Sequence, residues 1–159
     1  MKPPPGAVVI LHEGRVAHLA TVDLDCRPHV VAICYVFDGE NFYSVIDPKP
    51  KRVPPERLRR VRNIRANPHV CLIVDRYDED WTKLSYVQVH GRAEVVTGGD
   101  EQRRAVGLLR EKYPQYRQMP IDSVPVIKVI PERFVVWSAE GREFTFPGPP
   151  NQSGATSRG

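Results

Sequence analysis

The chain has 159 residues, 41% hydrophobic and 26% charged, which suits one folded domain with a real core. A net charge of +4 and a pI near 9.1 favour anionic partners, whether nucleic acid, phosphorylated cofactor or anionic lipid, without choosing among them. Three scattered cysteines, Cys26, Cys34 and Cys71, argue against a disulfide framework, and no Cys/His spacing suggests zinc or another metal site.

The opening "MKPPPGAVVILHEGR" carries too short an apolar run for a signal peptide, and no segment approaches a transmembrane length, so a cytoplasmic protein is expected. After a short helical or irregular start, "RVAHLATVD" (Arg15 to Asp23) alternates as a strand does. "DLDC" reads as a turn. "RPHVVAICYVFDG" reads as one long strand, apolar on both faces, as inside a barrel or at a subunit interface. "DGEN" makes the next hairpin and "NFYSVID" a third strand.

Prolines 48, 50, 54 and 55 stop this meander. "PERLRRVRNIRANP" then spaces Leu58, Val61 and Ile64 along one helical face, ended by Asn67 and Pro68. "HVCLIVDRY" is a buried strand, "DEDWTK" an acidic connection and "LSYVQVHGRAEVVT" another strand. "GGDEQRRAVGLLREKY" is an amphipathic helix with Asp100 expected as its N-cap. "VPVIKVIPERFVVWSA" supplies a final, broken strand. From Gly141 the periodicity is lost, so residues 1–140 are expected to form one domain and 141–159 a flexible C-terminal tail. The sum is a mainly β fold: a six-stranded antiparallel barrel with helical covers.

Lys49 and Lys51 flank Pro50 in "DPKPKR". In extended chain, residues two apart point the same way, about 6.5–7 Å from each other, and Pro50 pushes Lys49 towards that conformation. Two ammonium groups held so close repel unless an anion lies between them, and a phosphate bridges them well. Arg52 adds a third potential donor. The alternative is a solvated basic loop.

The order of "LATVDLDCRPHVV", "YSVIDPKPKR", "RNIRANP", "VDRYDEDW" and "HGRAEV", spread from about Arg15 to Trp137, resembles the FMN-binding split-barrel superfamily. That superfamily includes pyridoxamine phosphate oxidase and the deazaflavin-dependent oxidoreductases, and the blocks most resemble its F-420-dependent branch. The resemblance implies a homodimer of split barrels with a cofactor at each of two interface sites. It implies that Lys49 and Lys51 contact the cofactor phosphate. Ala32, Ile33 and Cys34, with Val45 and Ile46 opposite, would line the ring and ribityl chain, and Trp81 would approach from the partner subunit. Relatives carry Gly where Cys26 stands; a two-residue primed turn there would force a positive φ on Cys26. The segment after "FVVW" lacks the Arg/His-bearing substrate motif of true pyridoxamine phosphate oxidases, so oxidation of vitamin B6 is not expected.

The expected activity is therefore hydride transfer to or from a planar, conjugated small molecule. F-420 is favoured as cofactor over FMN by the net charge and the arginine-rich segment. The competing class is a non-catalytic carrier of flavin or haem on the same fold. Nucleic acid is set aside: Arg57, Arg59, Arg60, Arg62 and Arg65 lie on several sides of their helix, and no strand-borne aromatic platform accompanies them. A membrane partner is not expected either.

Overall fold

A computed structural model describes residues 1–46 and 54–140. Its elements in chain order are α1 (Pro5–Glu13), β1 (Ala17–Val22), β2 (Pro28–Ile33), β3 (Val36–Phe37), β4 (Phe42–Val45), α2 (Arg59–Ala66), β5 (His69–Arg76), β6 (Ser85–Val96), α3 (Gly99–Lys112) and β7 (Val126–Ser138). Short 3-10 helices precede α2 (Pro55–Arg57) and β6 (Trp81–Lys83) and follow α3 (Pro114–Gln118). No helix among the described residues is long and apolar enough to cross a membrane. The expected tail, 141–159, lies outside the described residues.

All the strands belong to one antiparallel sheet, ordered β2-β1-β5-β6-β7-β4-β3. Its two edge strands, β2 and β3, follow one another in sequence with only Cys34 and Tyr35 between them. A chain that steps directly from one edge to the other forces the sheet to curl on itself, giving the half-closed wall of a split barrel. The sequence reading of a single strand over "RPHVVAICYVFDG" is thereby corrected, and the count becomes seven rather than six. The break has a local cause. Tyr35 gives its backbone N–H to the Tyr113 hydroxyl at 3.1 Å, so that donor is lost to any strand ladder.

Alternation of apolar residues sends Leu19, Leu72, Val74, Val87 and Val89 into the barrel, where they join Ile10 and Leu11 of α1 and Val61 and Ile64 of α2. A second core lies under α3, which packs Ala105, Val106 and Leu109 on Val36, Tyr43 and Val126. The N-cap of α3 is Gly98, at φ 69°, and no side chain caps the helix. Asp100, the expected cap, instead lies within the first turn, where it pairs with Arg103 and meets the positive end of the helix dipole. The last strand is unbroken over 13 residues; Pro131 is accommodated at a register shift opposite His90 and Gly91.

Candidate functional site

Edge strand β2 and helix α2 build one end of the site. Asn63 of α2 is buried and gives its Nδ2 hydrogen to Thr21 Oγ1 at 3.0 Å, which pins the helix to β1. Removing one partner of such a buried pair costs about 1–3 kcal/mol. So fixed, α2 turns Arg59 and Arg60 towards His29 on β2. Burial first, then the charges of Arg59 and Arg60, hold the His29 imidazole below its usual pKa and hence neutral at pH 7. An arriving phosphate would relieve that repulsion and draw a proton back onto the ring. Arg59 also meets Asp23 at 3.4 Å across a surface cleft of about 430 Å³ between the β1–β2 turn and α2.

The residues expected to line a ring gather at the β2–β3 corner. The β3–β4 ladder pairs Val36 with Tyr43 and Phe37 with Phe42 and ends there. Packing relates the rest: Ile33 and Ile46 share the barrel core, whereas Cys34 packs against the cluster under α3 that contains Val45. The side chains of Ile33, Val45 and Ile46 are thus spent on the core. What remains for a ligand is their backbone, the half-buried Cys34 and the exposed Ala32. As a terminal strand, β2 leaves one row of amide donors and acceptors without a strand partner among the described residues.

Trp81 is not part of that corner. It sits in the β5–β6 connection, 44% exposed, with β1 between its hairpin and β2 in the sheet. Lys49, Lys51 and Arg52 lie outside the described residues, in the segment 47–53 between Ile46 and Pro54.

At the same corner stands a cluster of two tyrosines and two cations. The Tyr113 hydroxyl accepts from the Tyr35 amide and lies 2.8 Å from the carbonyl of Arg15 and 2.9 Å from that of Tyr35. Tyr35 gives its own hydroxyl hydrogen to the carbonyl of Leu11 at 2.7 Å. Burial raises both phenols, Tyr113 to about 12. Lys112 Nζ rests 4.0 Å from the Tyr35 ring centroid, and the Arg15 guanidinium 5.6 Å from that of Tyr113. Burial, then the Arg15 charge, brings Lys112 down to about 8.

The outer face of the sheet carries two cross-strand rows. One runs Ala32, His18, Ile73, Gln88 and Val135; the next runs Val30, Ala20, Cys71, His90 and Arg133. None of these side chains is fully buried, and Val30 is 59% exposed. Nearby, Tyr86 stacks on Trp137 with centroids 5.6 Å apart.

Nothing in the sequence joins His29 to the α2 arginines, since 30 positions part His29 from Arg59. Lys112 and Tyr113 drew no notice at all: at the end of an amphipathic helix, nothing in the local pattern marks them.

The family described as pyridoxamine 5'-phosphate oxidase matches residues 6–138. No curated protein matches the sequence. Among solved structures, the conserved hypothetical protein Rv2991 from Mycobacterium tuberculosis is similar with a TM-score of 0.70 and 21% identity, over 94% of this chain and 95% of that one. An F420 reductase is 27% identical, with a TM-score of 0.64, over 84% of this chain and 98% of that one. HutZ, the heme storage protein from Vibrio cholerae, is 18% identical with a TM-score of 0.65, over 87% of this chain and 95% of that one.

Proposed function

The chain belongs to the pyridoxamine 5'-phosphate oxidase family, and from that premise we propose that it is a homodimeric oxidoreductase using F-420, or else FMN. The observation that carries this reading is the layout of β2. Along edge strand β2, an end where Arg59 and Arg60 of α2 face the neutral His29 is followed by an open backbone row and a small-residue face at Ala32 and Cys34. A phosphorylated ring cofactor needs those features in that order: charge for the phosphate, backbone donors and acceptors for the ring edge, and a flat apolar face for the ring.

The cofactor supplies hydride chemistry when bound. The residues of the chain supply the rest. In this reading Lys49 and Lys51 grip the phosphate, with Arg59 and Arg60 adding field. The Ile33, Cys34, Val45 and Ile46 backbone fixes the ring edge-on. Ala32 leaves room for a planar substrate to stack, and Trp81 reaches the ring from the second subunit. The two outer rows of the sheet, where Val30, Ala32, Ile73 and Val135 stand among His18, Gln88, His90 and Arg133, are the surface where that second copy would sit. A dry interface of this kind excludes water from the hydride path. F-420 carries a longer acidic tail than FMN, and the arginines of α2 favour the longer anion.

Titration of the purified protein with FMN and with F-420, followed by tryptophan fluorescence, tests the proposal. Saturable binding is expected, tighter for F-420. The double variant Lys49→Ala/Lys51→Ala should bind at least tenfold more weakly, since each charge-assisted contact contributes about 1.5–3 kcal/mol. Failure of both cofactors to bind overturns the redox reading. A folded double variant that binds like the parent overturns the placement of the phosphate. A carrier of haem would show itself instead by an intense Soret band.

A further inference from the structure

Lys112 is the oddest charge in the molecule. Its Nζ is shielded from solvent yet has no hydrogen-bond partner among the described residues. An ammonium has three donors, and leaving them unmade away from water is costly. Tyr35, 4.0 Å away at its ring centroid, offers only its π face, because its hydroxyl already bonds the carbonyl of Leu11. Tyr113 offers no acceptor either; its oxygen is engaged by the amide of Tyr35 and the carbonyls of Arg15 and Tyr35. Beside them Arg15 gives a hydrogen bond to the Lys112 carbonyl and leans on the Tyr113 ring. Two cations therefore converge on two aromatic faces. Among the described residues neither forms an ion pair with a carboxylate, whereas Arg76, Arg104, Arg110 and Lys128 all do.

Like charges brought together without a counter-charge destabilise a fold unless something else brings the charge. An anion bound there would supply that counter-charge. The cluster lies beside Cys34, at the opposite end of β2 from His29 and its two arginines. Five residues of extended strand separate the two ends, roughly 16 Å. An anion here is consequently a different group from the one held near His29.

We propose that Lys112 and Arg15, seated on the faces of Tyr35 and Tyr113, form a receptor for a carboxylate or similar oxyanion, and that this group belongs to the substrate. The first half stands on the cluster alone; the assignment to substrate rests on the cofactor reading above. It narrows the substrate class to planar conjugated acids, anchored by their anionic end at the β2–β3 corner while the conjugated part lies over Ala32 and Cys34. Lys112 also acquires a sensitivity to pH. An ammonium whose pKa lies at about 8 is charged at pH 7 and largely neutral at pH 9. Anion binding is thus present below that value and lost above it.

Calorimetric titration of the full chain with benzoate, a planar carboxylate, tests the receptor. Affinity should fall about tenfold between pH 7 and pH 9. Lys112→Met, which keeps the stem against Tyr35, should weaken binding at least tenfold at pH 7. Lys112→Arg should retain binding and abolish the pH dependence, because a guanidinium stays charged throughout. A flat pH profile in the parent, or unchanged affinity in Lys112→Met, overturns the receptor. If Lys112→Met does not fold, the parent profile and Lys112→Arg still decide. FMN and F-420 titrations of the same variants keep the two proposals apart, since cofactor affinity should not move with Lys112. Benzoate bound alongside either cofactor supports the substrate assignment. Displacement of benzoate by F-420 but not by FMN overturns it, because the acidic tail of the cofactor then fills the site.

Discussion

Cys26 sits at φ 60°, the sole non-glycine residue at positive φ among those described. The loop around it is not a two-residue primed turn, so the turn type differs from the one that would force such a φ. Asp23 accepts the Cys26 amide at 3.0 Å, and Leu24 and Asp25 have negative φ, so Cys26 is the left-handed residue after an ordinary turn. Asp23 Oδ1 reinforces the loop by accepting from the amides of Asp25 and Arg27 at 3.0 and 2.9 Å. A left-handed L-residue costs roughly 1–2 kcal/mol, and glycine loses about 0.5–1 kcal/mol of that advantage through the entropy of its unfolded chain. Cys26→Gly should therefore stabilise the protein by up to about 1 kcal/mol, seen as a higher urea midpoint with an unchanged slope. A lower midpoint would mean that the thiol makes a contact outweighing the backbone strain. The positive φ was legible only on the condition of a primed turn, which does not form. The meeting of His29 with Arg59 and Arg60 was not, because it depends on how α2 is docked through Asn63.

Among the elements, β6 and β7 form the longest pairing, and its irregularity is informative. Gly91 is opposite Pro131, and a Cβ built there would stand 2.2 Å from the carbonyl oxygen of Ile130. Backbone cannot yield as a flexible side chain can. Gly91→Ala should cost about 1–3 kcal/mol, the range for overpacking, and thermal unfolding would show it as a lower midpoint. An unchanged midpoint would mean that the bulge relaxes freely. The strands themselves were readable from alternation, and so was the helix over Val61 and Ile64. The division of β2 from β3 escaped because no local feature of "AICYVF" signals it. Its cause is a hydroxyl on Tyr113, 78 positions away. The cap of α3 was misplaced for a subtler reason: Asp100 suits a first turn as well as an N-cap, and Gly98 and Gly99, both at positive φ, let the chain enter two residues earlier.

At the scale of the whole molecule, the curl of the sheet explains why a single chain looks unfinished. The barrel interior and the space under α3 are filled, while Val30, Ala32, Ile73 and Val135 remain on an outer face that no helix among the described residues covers. The same face borders the proposed cofactor site, so in the proposed dimer assembly and activity would share one surface. Class and curvature were legible in the order of hairpins, helix and strands; the uncovered face was not, since the same apolar residues suit a barrel wall or an interface equally well. Sedimentation velocity recorded at the absorption band of the added cofactor tests both halves of this account together. The prediction is that F-420 absorbance travels with a species of twice the 18.1 kDa chain mass, at one cofactor per chain. Cofactor sedimenting with the single chain, or staying free while the protein sediments without it, would contradict the account.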